Sequence, residues 1–206
     1  MRKIIVKHLA GKKGVFMHVP KTAGSSVRKF AIENNIVIIG HNLRDENYET
    51  LYSYKARRNV SFSFAFVRNP WDRLVSSYFY LQKGGGNAGD LQDKKKLLND
   101  DMLSDFSFFV KKGLIQKNIL KQMHFREQFS WFYNGENCLV DKIYKFEKLQ
   151  EAIREICTLG NYPHYELPLT NTSNHSHYTE YYDNETRKIV SDIYKKDIEL
   201  FNYSFE

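Results

Sequence analysis

The chain has 206 residues, 42% of them hydrophobic and 15% aromatic, and carries a formal net charge of +7. That much apolar material builds a real core and excludes wholesale disorder, and the length suits one domain over residues 1–206 rather than two. The positive charge favours an anionic partner such as a nucleotide, an acidic glycan, nucleic acid or a membrane surface, and does not choose among them.

The first residues, Met1-Arg2-Lys3-Ile4-Ile5-Val6-Lys7, begin like a signal peptide, but Lys7 and His8 interrupt the apolar run. No segment approaches the roughly 20 apolar residues of a membrane span. The two cysteines, Cys138 and Cys157, stand in no metal-ligand spacing and read as reduced thiols, which suits a cytoplasmic chain.

Three continuous apolar runs come early: residues 15–19 up to Pro20, residues 36–39 up to Gly40, and residues 62–67 up to Arg68-Asn69-Pro70. Runs of this length suit strands buried on both faces of a parallel sheet. Helical stretches are expected at 25–34 and at 71–82, the second with Pro70 before it and Asp72 in its first turn. Residues 83–96, with Gly84-Gly85-Gly86, Gly89 and Lys94-Lys95-Lys96, read as a mobile surface loop. An amphipathic helix is expected at 102–112, a fourth strand at 141–146, a helix at 149–159 and one long helix at 184–201, with residues 170–178 polar and irregular. Strands alternating with helices imply a three-layer α/β/α fold around a mostly parallel sheet.

Two motifs carry chemistry. Val19-Pro20-Lys21-Thr22-Ala23-Gly24-Ser25-Ser26 follows a predicted strand and opens a predicted helix. Backbone N–H groups and a helix dipole there can cradle a phosphate, giving a P-loop-like site. Gly24 would let the backbone approach an anion, Thr22, Ser25 and Ser26 supply hydroxyls, and Lys21 supplies a cation. The lysine precedes the glycine, unlike the ATP-binding P-loop, in which Gly-Lys-Ser/Thr closes the motif. The second motif has Arg68 at a strand end and Ser76 on the following helix, suited to a second anion. A plainer alternative pairs Arg68 with Asp72 and leaves Arg73 exposed.

Together these motifs resemble the PAPS-dependent sulfotransferases (PAPS, 3'-phosphoadenosine 5'-phosphosulfate) of family 2, the carbohydrate sulfotransferases and their bacterial-type relatives. The resemblance continues through Gln128-Phe129-Ser130-Trp131, Ile143 to Leu149, Leu167-Pro168 and Asp197 to Tyr203. It implies that Lys21, Thr22, Ala23, Gly24, Ser25 and Ser26 hold the 5'-phosphosulfate, that Arg68 and Ser76 hold the 3'-phosphate, and that Asn171 and Ser173 add donor contacts. It implies PAPS as co-substrate, no metal, and an acceptor hydroxyl on a carbohydrate or glycolipid, with neither nucleic acid nor a membrane span involved. His41, after the second strand, matches the placement of the catalytic histidine in some family 2 enzymes, and a histidine suits a general base near neutral pH. His18 in the first strand is its rival, more readily read as a core residue. His175 and His177 make a weak metal signal. The competing functions are a nucleotide-dependent phosphotransferase and a non-catalytic polyanion binder.

Overall fold

A computed structural model describes residues 14–40, 60, 62–98, 101–167 and 176–206. The three apolar runs and the predicted fourth one form a single sheet. Its strands are β1 (Gly14–Met17), β2 (Val37–Ile39), β3 (Phe62–Val67) and β6 (Lys142–Lys145), in the order β2-β1-β3-β6. Every pair in it is parallel, with Val15 opposite Val37, Met17 opposite Ala65, and Val67 opposite Lys145. The short strands β4 (Tyr133–Asn134) and β5 (Asn137–Cys138) form a separate antiparallel hairpin.

Alternation along the strands sorts the core into two layers. Phe16, Phe64 and Phe66 face helices α1 (Gly24–Glu33) and α6 (Leu149–Gly160), burying Val27, Phe30, Ile153 and Ile156. Phe64 is the hub of this face, stacking on Phe16 at 5.3 Å and on Phe62 at 5.7 Å. Val15, Met17, Ala65 and Val67 point the other way, onto Trp131, Phe132, Val140 and Phe201 of the C-terminal half. A third cluster lies off the sheet. There α2 (Pro70–Gln82) packs on Phe106, Phe109, Leu114, Phe125, Val190 and Tyr194.

Three expectations change. Residues 83–96 are not one loop: α3 (Ala88–Leu97) forms there, because the Asn87 side chain accepts from Asp90 N and most of the following residues are good helix formers. The helix expected at 102–112 starts later, where Asp105 caps Phe108 N in α4 (Phe106–Phe108), and continues as a π-helix over Phe109–Leu114. Beyond α5 (Lys117–Leu120), the long C-terminal helix is two, α7 (Asn184–Ile193) and α8 (Lys195–Phe201). They are broken at buried Tyr194, whose hydroxyl donates to Phe125 O at 2.6 Å.

The order β2-β1-β3 matters for function. The chain leaves β1 toward β2 on one side, and β3 lies on the other, so the carboxyl ends of β1 and β3 flank the crevice where open α/β sheets take ligands. The loop containing Lys21 follows β1, and Arg68 follows β3.

Candidate functional site: a cationic loop at the end of β1

The loop from β1 to α1 is tightly folded. Lys21 and Ala23 both adopt left-handed backbone conformations, with φ of 69° each. Thr22 is fully buried, and its hydroxyl donates to Val19 O at 2.9 Å, so this donor closes the loop instead of facing outward. At the start of α1, Ala23 offers no side-chain cap, and no acidic residue stands in the first turn. The Asn69, Asn87 and Asp183 side chains cap α2, α3 and α7. The first-turn N–H groups of α1 at Gly24, Ser25 and Ser26, together with the positive end of its dipole, thus remain suited to an anion.

Gly24 has a role the sequence did not disclose. A Cβ built there would stand 1.7 Å from His18 Nε2, so the glycine makes room for the buried His18 ring. His18 is therefore packed against the base of the loop, its ring also 5.5 Å from that of Phe16.

Arg68 reaches the same loop from β3. Its Nε and Nη2 donate to both carboxylate oxygens of Asp72 at 2.7 and 2.9 Å, and its Nη1 donates to Lys21 O at 3.3 Å. The plainer alternative of an Arg68–Asp72 pair is thus present, but the pair also ties the two motifs together. The guanidinium lies 4.4 Å above the Phe146 ring, a cation–π contact. Ser76 is buried on α2, one turn beyond Asp72 and three residues from Arg73, which puts it on this side of the helix.

Arg73 is not exposed. It is 2% accessible, with Nε donating to Pro20 O and Nη1 to Arg126 O, both at 2.9 Å, while Nη2 meets no acceptor among the described residues. Burial lowers the pKa of this guanidinium from its ordinary value. It clamps the loop from behind and adds a charge beneath it. Lys21 feels this directly. Its pKa falls from 10.5 to about 8, first through desolvation, then through Arg68, with Asp90 opposing and Arg73 adding to the fall. Three cations, Lys21, Arg68 and Arg73, thus gather at this loop against the carboxylates of Asp72 and Asp90, an excess of positive charge that suits an anion.

Two later segments support Arg68. Gln128, fully buried, accepts from Arg68 N at 2.9 Å and donates to Arg68 O at 2.8 Å. Asp197 of α8 accepts from Gln128 N at 2.7 Å and Phe129 N at 2.8 Å, and its pKa is raised by desolvation, against these bonds and Arg73. The break at Tyr194 re-aims α8 relative to α7. Glu147 accepts from Asn69 N at 2.8 Å and from the Tyr203 hydroxyl at 2.9 Å. These contacts give a supporting role to three stretches the sequence had singled out only by resemblance, 128–131, 143–149 and 197–203. No local signal marked them, because Gln128, Glu147 and Asp197 each have a charged residue beside them in the sequence and read as surface positions.

The structure thus brings together Lys21, Thr22, Ala23, Gly24, Ser25 and Ser26 with Arg68, and sets Ser76 on the adjoining helix. His41, Asn171, Ser173 and His175 lie outside the described residues. His177 is exposed, with Nδ1 2.8 Å from Thr179 Oγ1. Both cysteines are free thiols. Among the described residues no group of three or more His, Cys, Asp or Glu could hold a metal ion, and no helix is long and apolar enough to cross a membrane.

No curated protein matches the chain significantly. Its structure is similar to a crystal structure of a sulfotransferase from Alicyclobacillus acidocaldarius, at 14% identity and a TM-score of 0.40, covering 94% of this chain and 97% of that one. The family model described as the sulfotransferase family matches residues 10–204. With nearly its whole length matched, the chain belongs to the sulfotransferase family.

Proposed function

We propose that this sulfotransferase takes its sulfuryl group from PAPS and passes it to a hydroxyl of a carbohydrate or glycolipid acceptor. The observation that carries the donor assignment is the uncapped N-terminus of α1 beside Lys21 and Arg68, with Arg73 buried beneath. PAPS carries a 5'-phosphosulfate and a 3'-phosphate, and the two motifs offer two anion grips joined by the contact of Arg68 with Lys21 O.

The acceptor oxygen attacks sulfur in line, the bond from sulfur to the bridging 5'-phosphate oxygen breaks, and the 3',5'-bisphosphate leaves. Lys21 meets the charge that grows on that leaving oxygen, the largest gain coming in the transition state. The N–H groups of Gly24, Ser25 and Ser26 hold the 5'-phosphate. Arg68 and Ser76 grip the 3'-phosphate and select against ATP, and Asn171 and Ser173 add contacts. His41 takes the acceptor proton. Positioning and charge stabilisation do most of the work, as in phosphoryl transfer.

Thermal unfolding with adenosine 3',5'-bisphosphate, ATP and an oligonucleotide tests the donor reading. Selective stabilisation by the bisphosphate is expected. Equal or greater stabilisation by ATP points to a phosphotransferase, and by the oligonucleotide to a polyanion binder. Mass spectrometry of hydroxyl acceptors incubated with labelled PAPS then identifies the acceptor.

A further inference from the structure

Gly84-Gly85-Gly86 do not form a loose turn. A Cβ on Gly85, whose φ is +73°, would stand 2.1 Å from Asp90 Cβ, and one on Gly86 would stand 2.7 Å from the Tyr80 hydroxyl. The chain closes tightly around one carboxylate. Asp90 is 3% exposed, and its Oδ2 accepts from the Tyr80 hydroxyl at 2.6 Å, Gly86 N at 3.0 Å and Asn87 Nδ2 at 2.8 Å. A surface turn has no need of a buried carboxylate, because desolvating one is costly unless it does something in return.

Its partner Tyr80 leads to the site. The Lys21 ammonium lies 3.9 Å from the centre of the Tyr80 ring, and the buried His124 ring packs tilted against that ring at 5.1 Å. Contact therefore runs from ammonium to ring, from ring to hydroxyl, and from hydroxyl to carboxylate. A hydroxyl donating to a carboxylate enriches its ring in electron density, which strengthens the hold of the ring face on a cation. The Tyr80 hydroxyl remains a neutral donor, its pKa pushed up to about 12 by burial and then by its hydrogen bond to Asp90.

We propose that Tyr80 and Asp90 are positioning residues that form a shelf for the Lys21 ammonium at the donor loop. The proposal rests on Lys21 being the donor-loop cation. The shelf answers a specific difficulty. Lys21 faces two repelling cations, Arg68 from the end of β3, itself paired with Asp72, and Arg73 from α2, and Asp90 from α3 is the opposing charge. A lysine on a flexible stem in such company would swing to solvent or give up its proton. The ring gives it a place, and the carboxylate behind the ring favours its charged form.

The test reads Lys21 ionisation by NMR across pH, without donor, in the wild type and in Tyr80→Leu, Tyr80→Phe and Asp90→Asn. The wild-type midpoint is expected at about 8. Tyr80→Leu and Asp90→Asn should each make the proton easier to lose, by about two- to fivefold in the ionisation constant, and Tyr80→Phe, which keeps the ring, by less. Asp90→Asn keeps an acceptor for the Gly86 and Asn87 donors, so it reports even if Tyr80→Leu does not fold. An unmoved Lys21 midpoint in folded Asp90→Asn overturns the shelf. Bisphosphate binding to the wild type is measured in parallel. A midpoint that moves as expected in a protein that does not bind the bisphosphate leaves the shelf standing and overturns the donor reading instead.

Discussion

Gln128→Leu should weaken both the fold and the donor grip. The wild-type amide is fully buried and satisfies Arg68 N and Arg68 O at 2.9 and 2.8 Å. Leucine makes neither bond, leaving two buried backbone groups unsatisfied at about 1–3 kcal/mol each, or about 2–6 kcal/mol together. Set against a typical domain stability of about 5–15 kcal/mol, that is a large fraction. Urea unfolding followed by the fluorescence of the buried Trp71 and Trp131 measures it. Arg68 should also shift, so the folded variant should bind the 3',5'-bisphosphate about tenfold more weakly, the size of one lost charge-assisted hydrogen bond. Gln150→Leu is the control. Its amide makes a similar pair of bonds, from Leu167 N and to Tyr165 O at 2.9 and 3.0 Å, but half-buried and at a different place in the fold. It should cost stability and spare affinity. A Gln128→Leu protein within about 0.5 kcal/mol of wild type, with unchanged bisphosphate affinity, would refute the reasoning.

Gly24→Ala should destabilise the protein by at least about 1–3 kcal/mol, because the new methyl meets the buried His18 ring at 1.7 Å; an unchanged melting temperature would mean that His18 moves freely. Arg68→Ala and Ser76→Ala should weaken binding of PAPS far more than that of an analogue lacking the 3'-phosphate, and equal losses for both ligands would remove these residues from 3'-phosphate recognition. Bisphosphate binding should also take up a proton. With Lys21 at about 8 in the free protein and its ordinary value at 10.5, an anion beside it raises its pKa again. Between those values the free protein lacks a proton that the complex holds, so affinity should fall as pH rises through about 8. Calorimetry in buffers of different ionisation enthalpy reads the uptake, and its persistence in Lys21→Ala would assign it to another group.

The sheet, and the meeting of the Lys21 loop with Arg68 at its edge, were legible in the sequence. Residues 15–19 and 62–67 are continuous apolar runs, and such runs report burial on both faces whatever the rest of the chain does. A polar, glycine-containing turn between strand and helix likewise marks a candidate anion loop from local chemistry alone. The placement of Arg68 opposite Lys21 needed only the rule that ligands gather at the carboxyl ends of parallel strands. What tertiary structure alone decided are the pairings of buried polar groups. Arg73 reads as a surface residue until Pro20 O and Arg126 O, each 53 residues away in sequence, receive it. Gln128 meets Arg68 across 60 residues and Asp197 across 69. Gly24 looks like an anion-loop glycine, yet its neighbour is His18. The glycines at 84–86 look like a flexible turn, yet Gly85 and Gly86 close on Asp90. Hydrophobic periodicity is a property of the local chain, whereas the satisfaction of a buried charge depends on which distant backbone arrives beside it, and only the folded chain determines that.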